Sequence, residues 1–117
     1  MAARDLTGAV DFSVLERFTA GDAAVSEEVL GLFTEQAAMW SAALDPAGDG
    51  WRDAAHTLKG AAVSIGAGDL AAACGAAEAS DEATAEAAVG RVRDELNRAL
   101  TDVAAFRHEL MLRSLRG

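Results

Sequence analysis

The sequence predicts an all-α protein, an antiparallel four-helix bundle with an additional short N-terminal helix. Three observations predict it. Apolar residues recur at helical spacing along four long stretches. The composition is alanine-rich and glycine-punctuated, with one proline and no tyrosine in 117 residues, which favours close-packed helices over sheet. The connections between the periodic stretches are short, so neighbouring helices run antiparallel. At this length, with 51% hydrophobic residues, the chain supports one domain with one modest core.

Residues 1–10 are expected to be a flexible leader, and residues 11–115 the single helical domain. Asp11 can cap a short helix that carries Phe12, Leu15 and Phe18 and stops near Ala20-Gly21. Asp22 caps a longer one, with Val25, Val29, Leu32, Phe33, Gln36, Trp40, Ala43 and Leu44 at helical spacing. The stretch from Leu44 to Gly50 holds the only proline and two glycines, and is the clearest loop. A third helix is predicted from about Gly50 to Ile65, with Gly66 as its terminating residue. A fourth restarts at Gly68-Asp69 with Leu70, Ala73, Cys74 and Ala77 inward. After a break at Ser80-Asp81 the longest helix runs from about Glu82 to Leu112. Its seam is Ala85, Ala88, Val89, Val92, Leu96, Ala99, Leu100, Val103, Phe106 and Leu110.

Composition narrows the function classes. There is no run of eighteen apolar residues, and MAARDLTG at the N-terminus has no apolar core, so neither a membrane span nor a secretory signal is read. A cytoplasmic location is expected. Cys74 is the only cysteine and the two histidines are far apart, which excludes an intrachain disulfide and argues against a metal site. Cys74 reads as a small buried apolar side chain, His108 as a surface residue, and Trp40 and Trp51 as core or loop-sealing aromatics. A net charge of −9 disfavours nucleic acid and anionic membranes as partners. No phosphate-binding glycine loop and no carboxylate cluster for Mg²⁺ is present, so the chain is not expected to be an autonomous enzyme.

The third helix concentrates the chemistry. Trp51, Ala54, Ala55, Leu58, Ala61, Ala62 and Ile65 form one apolar stripe at about 100° per residue, and His56 lies roughly 160° from its middle. His56 therefore points outward, beside Arg52, Lys59, Gly60 and Val63 at helical-neighbour spacing. Lys59 is the sole lysine of the chain. Gly60, in a helix interior, costs about 1 kcal/mol relative to alanine. Helix propensity gives no reason for it; room for something to approach His56 does.

His56-Thr57-Leu58-Lys59-Gly60, followed by Ala61, Ala62, Ile65-Gly66, Leu70, Cys74 and Glu78, resembles the signature of the histidine-containing phosphotransfer (HPt) domain family. Ala61 and Ala62 stand where serine is common in that family, Ser64 where asparagine is common, and Ala77 where a larger apolar residue is usual. None of these departures removes a group the chemistry needs.

The resemblance implies that His56 is the phosphoacceptor. It also implies that Glu78, twenty-two residues on, accepts a hydrogen bond from Nδ1–H of His56 and leaves Nε2 to react. Lys59, with Arg52, would offset phosphoryl charge, and Gly60 would admit the partner's loop. The implied donors and acceptors are aspartates of response-regulator receiver domains, with a hybrid histidine kinase as a further candidate partner. The receiver would bring Mg²⁺, and no intrinsic cofactor is expected. Docking is assigned to Val63 with Phe12 or Leu15 of the first helix. The alternative reading is a non-phosphorylated helical adaptor that binds a response regulator. A monomer is expected, and the start at Met1 with a self-contained helix set favours a free-standing protein.

Overall fold

The computed structural model describes residues 7–116. Five helices follow in order: α1 (Phe12–Thr19), α2 (Ala23–Ser41), α3 (Trp51–Ile65), α4 (Gly68–Ala79) and α5 (Ala85–Leu115). No strand occurs among the described residues. α3 packs against α2 and α4, and α5 packs against the same two, so the four long helices close a ring around one core. α1 lies across α2 and α3. At 1.5 Å per residue, the 31 residues of α5 span about 46 Å and set the long dimension of the molecule.

The caps expected from the sequence form. The Asp11 side chain accepts from Ser13 N and the Asp22 side chain from Val25 N, each taking up a backbone donor that the helix start leaves free. Hydrogen bonds from the Ser13 hydroxyl and amide also hold the Asp11 carboxyl below the usual carboxylate range. The N-terminus of α5 differs by a few residues. Asp81 and Thr84 bond reciprocally, side chain to backbone in both directions. This turn delays regular helix to Ala85 rather than Glu82.

The register of α2 corrects the sequence reading. Ser26, Leu30, Phe33 and Ala37 face inward, while Val25 and Leu32 are exposed. Ser26 is admitted to the interior because its hydroxyl bonds that of Thr19 on α1 at 2.9 Å, leaving neither group unsatisfied. Phe12 and Leu15 are corrected as well. They are 6% and 0% exposed, and Phe12 stacks on Phe106 of α5 with ring centroids 4.1 Å apart. Both belong to the core and neither can serve as a docking residue. The exposed aromatic of α1 is Phe18.

Of the flexible leader expected over residues 1–10, residues 1–6 lie outside the described residues. The remainder is docked. Ala9 and Val10 are buried, and the amides of Thr7, Ala9 and Val10 all donate to the fully buried carboxylate of Asp102 on α5, at 2.6, 3.0 and 3.3 Å. Three N–H donors replace the water this carboxylate has lost. Asp102→Asn would turn one acceptor oxygen into an NH₂ donor facing donors. We expect it to lower stability by about 2 kcal/mol, measured as a shift of the urea midpoint at unchanged slope. No loss would mean that the segment docks through Ala9 and Val10 alone.

Two arginines act as remote caps. α2 and α4 have no basic residue in their last turns. Arg93 of α5 donates to Ser41 O and Leu44 O at the end of α2. Arg52 of α3 donates to Glu78 O and Ser80 O at the end of α4, at 2.7 and 2.8 Å. Each brings a cation to the carbonyl end of a neighbouring helix, where the backbone dipole favours it.

Candidate functional site

The tight connection between α3 and α4 brings the site together. Gly66 ends α3 in the left-handed conformation (φ 87°), and Ala67 N bonds back to Ala62 O at 2.9 Å, closing a Schellman-type stop. α4 begins two residues later and returns alongside α3. Positions about equally far from Gly66 therefore face each other. His56 precedes the turn by ten residues and Glu78 follows it by twelve. Lys59 and Gly75 make a similar pair.

His56 and Glu78 meet. Nδ1 of the imidazole lies 3.0 Å from Oε2 of Glu78, with the His56 side chain 75% exposed and that of Glu78 29%. A carboxylate can only accept, so the pairing places the proton on Nδ1 and leaves the lone pair of a neutral ring on Nε2. The other carboxylate oxygen, Oε1, is buried without a hydrogen-bond partner among the described residues. Nδ1–H of His56 thus donates to Oε2, the one oxygen of this carboxylate with a partner among the described residues.

Around this pair, Lys59 is exposed, and its stem crosses α4 over Gly75. Its Nζ lies 3.6 Å from where a β-carbon on Gly75 would sit. Gly60 faces open space: a β-carbon there would meet nothing within 4 Å. Helix crowding therefore does not account for this glycine. Val63 is 60% exposed, two turns beyond His56 on the same face of α3. Cys74 is fully buried one turn before Glu78. Burial, reinforced by the Glu78 charge and opposed by Lys59, pushes its thiol up to about 11. At neutral pH it is a protonated packing residue.

Arg52 departs from the sequence reading. Its guanidinium is committed to the two α4 carbonyls and sits 4.3 Å from the Trp51 ring centroid. It is engaged as a helix clasp rather than held free to meet phosphoryl charge. Nothing in the local sequence marked this, because the partners are main-chain oxygens twenty-six and twenty-eight residues away. His108 is exposed on the distal part of α5, apart from this cluster.

Fold and site together define a helical bundle that presents one exposed histidine, oriented by a carboxylate on the neighbouring helix. The family model for the Hpt domain matches residues 26–105, and the chain belongs to the Hpt domain family. Among solved structures it is similar to histidine phosphotransferase ShpA from Caulobacter crescentus. That likeness has 50% identity and a TM-score of 0.77, covering 92% of this chain and 99% of that one. No curated protein matches. Hpt domains are phosphotransfer carriers of two-component phosphorelays, exchanging phosphate with receiver domains. Among the described residues no helix is long and apolar enough to cross a membrane.

Proposed function

We propose that this protein carries phosphate on His56, accepting a phosphoryl group from a receiver-domain aspartate and passing it to another receiver. The observation that carries the reading is the 3.0 Å pairing of Nδ1 with Glu78 on a ring that is otherwise open to solvent. In the accepting step, the Nε2 lone pair attacks phosphorus as the bond from phosphorus to the aspartyl oxygen breaks. The electron pair leaves with the receiver's carboxylate. Nδ1 keeps its proton throughout, so no base is needed, and the Glu78 carboxylate offsets positive charge that builds on the ring. Lys59, in no hydrogen bond or ion pair among the described residues, supplies a cation for the phosphoryl oxygens.

The same proposal extends to the metal, the partners and the setting. Mg²⁺ belongs to the receiver, as do the groups that activate its aspartate, and the protein has no kinase or phosphatase activity of its own. It works as a cytoplasmic monomer; a hybrid histidine kinase can supply one of the receivers. Val63 belongs to the docking surface.

The test is to phosphorylate a receiver domain, add this protein with Mg²⁺, and map the phosphate by mass spectrometry. Acid-labile, base-stable phosphate on His56 is the expected result. No transfer from any receiver of its own genome, with the bundle folded, would sink the carrier reading in favour of an adaptor.

Gly60 separates stability from transfer. Its β-carbon position is free of contacts among the described residues, so Gly60→Ala is expected to raise stability by about 0.5–1 kcal/mol through helix propensity. The added methyl group would stand in the path of the approaching receiver, and the transfer rate is expected to fall severalfold. Thermal melts and single-turnover transfer check the two halves. A stabilised variant with an undiminished rate would remove Gly60 from the approach path.

A further inference from the structure

We infer that Arg52 is a positioning residue for phosphotransfer: it clasps the last turn of α4 and so holds the Glu78 carboxylate against His56. The inference deepens the reading given above and rests on it for its kinetic consequences. Arg52 and His56 are one turn apart on the same face of α3, and both bind Glu78. His56 Nδ1 takes its carboxylate oxygen, at 3.0 Å, and an Arg52 nitrogen takes its carbonyl oxygen, at 2.7 Å. One residue is thereby gripped at its side chain and at its backbone by neighbouring teeth of one helix.

The grip is needed because of where Glu78 stands. α4 ends at Ala79, so Glu78 occupies the terminal turn, where carbonyls lack helical partners and the helix frays. α4 has no basic residue in that turn, and Glu78 itself puts negative charge at the negative end of the helix dipole. Both effects loosen the turn that must hold the orienting carboxylate. Arg52 opposes them together. Its planar fork reaches Glu78 O and, at 2.8 Å, Ser80 O beyond the helix end, and it brings the missing cation. The guanidinium lies 4.3 Å from the centroid of the buried Trp51 ring, which limits its swing. Arg52 thus acts through Glu78 and need not touch the phosphoryl group.

The test is a double-mutant cycle on the full chain, with Arg52→Met, Glu78→Ala and the double variant, read in two ways. Nitrogen-15 NMR of the unphosphorylated protein reports which nitrogen of His56 carries the proton. Single-turnover transfer from a phosphorylated receiver reports the rate. Arg52→Met is expected to shift the His56 signals toward those of Glu78→Ala. It is also expected to slow transfer by about tenfold, within the roughly 10²-fold that a 1 Å misplacement can cost. Once Glu78 is alanine, Arg52→Met should change neither readout by more than about twofold. Two results would overturn the inference: unmoved His56 signals in Arg52→Met, or an undiminished rate effect in the Glu78→Ala background, the mark of direct contact with phosphate or partner. If Arg52→Met does not fold, Arg52→Lys, which lacks the planar fork, carries the same cycle. If the wild-type protein accepts no phosphate, the carrier reading fails, while the NMR arm still decides whether Arg52 positions Glu78.

Discussion

Gly66→Ala is expected to destabilise the domain by about 3–5 kcal/mol, a large part of the 5–15 kcal/mol available to a domain of this kind. Two costs add. The residue sits at φ 87°, where a side chain costs about 1–2 kcal/mol. A β-carbon there would also lie 2.3 Å from the carbonyl oxygen of Asp11 and 3.0 Å from Cβ of Val14. The first of these neighbours is backbone and cannot rotate away. Relief requires α1 to back off, which breaks the 2.9 Å bond from Asp11 N to Gly66 O and loosens the stack of Phe12 on Phe106. Gly21→Ala is the matched control. Gly21 has φ 74° with nothing within 4 Å of its β-carbon position, so it carries the backbone cost alone. Urea denaturation of the two variants isolates the contact. Equal losses would mean that α1 is not seated on the end of α3 as described.

The same junction explains why so much of the fold is legible in the sequence. Gly66 ends α3 and Asp11 starts α1, each a local signal with a backbone reason behind it, and each falls where the sequence places it. The seam of α5 is equally plain, because Val92, Leu96, Ala99, Val103 and Phe106 contrast with charged neighbours. α2 has no such contrast. It is apolar on most sides, so periodicity alone cannot choose between Leu32 outward and Leu30 inward, and packing against α1 and α5 decides. In α1, Phe12, Leu15 and Thr19 form the buried stripe while Phe18 falls off it. A helix of eight residues already has a core face, and its apolar residues are not surplus.

Of the site, the pairing of His56 with Glu78 was implied by the resemblance to the Hpt signature, and the antiparallel hairpin about Gly66 is what sets the two positions opposite each other. What escaped were contacts whose partner is main chain. Asp102 binds three amides and Arg52 binds two carbonyls, and main-chain groups are the same at every position. A faint signal existed for Asp102 alone, since it interrupts the apolar seam between Ala99 and Phe106.

The largest functional effects are expected at the two members of that pair, and they should differ in kind. His56→Gln is expected to abolish phosphorylation, because no other nitrogen nucleophile in the cluster is oriented for attack and Cys74 is buried and protonated. The fold should be unaffected, within about 0.5 kcal/mol, since the side chain is 75% exposed. Glu78→Ala should leave the acceptor in place and slow transfer by about 10–100-fold. That is well short of the 10⁴-fold that disabling the orienting carboxylate of a buried catalytic triad can cost. The difference follows from solvent: on an exposed ring, water can take the Nδ1 proton's hydrogen bond, so the lost quantity is the preference for one tautomer and one ring orientation. Glu78→Gln discriminates further. Its amide oxygen can still accept from Nδ1–H without supplying charge, so it should recover most of the orientation and little of the charge compensation. Single-turnover transfer measured for all three variants orders the contributions. A Glu78→Ala variant as fast as wild type would mean that the 3.0 Å contact does not govern which nitrogen reacts, and the case for His56 would then rest on its exposure beside Lys59 and Gly60.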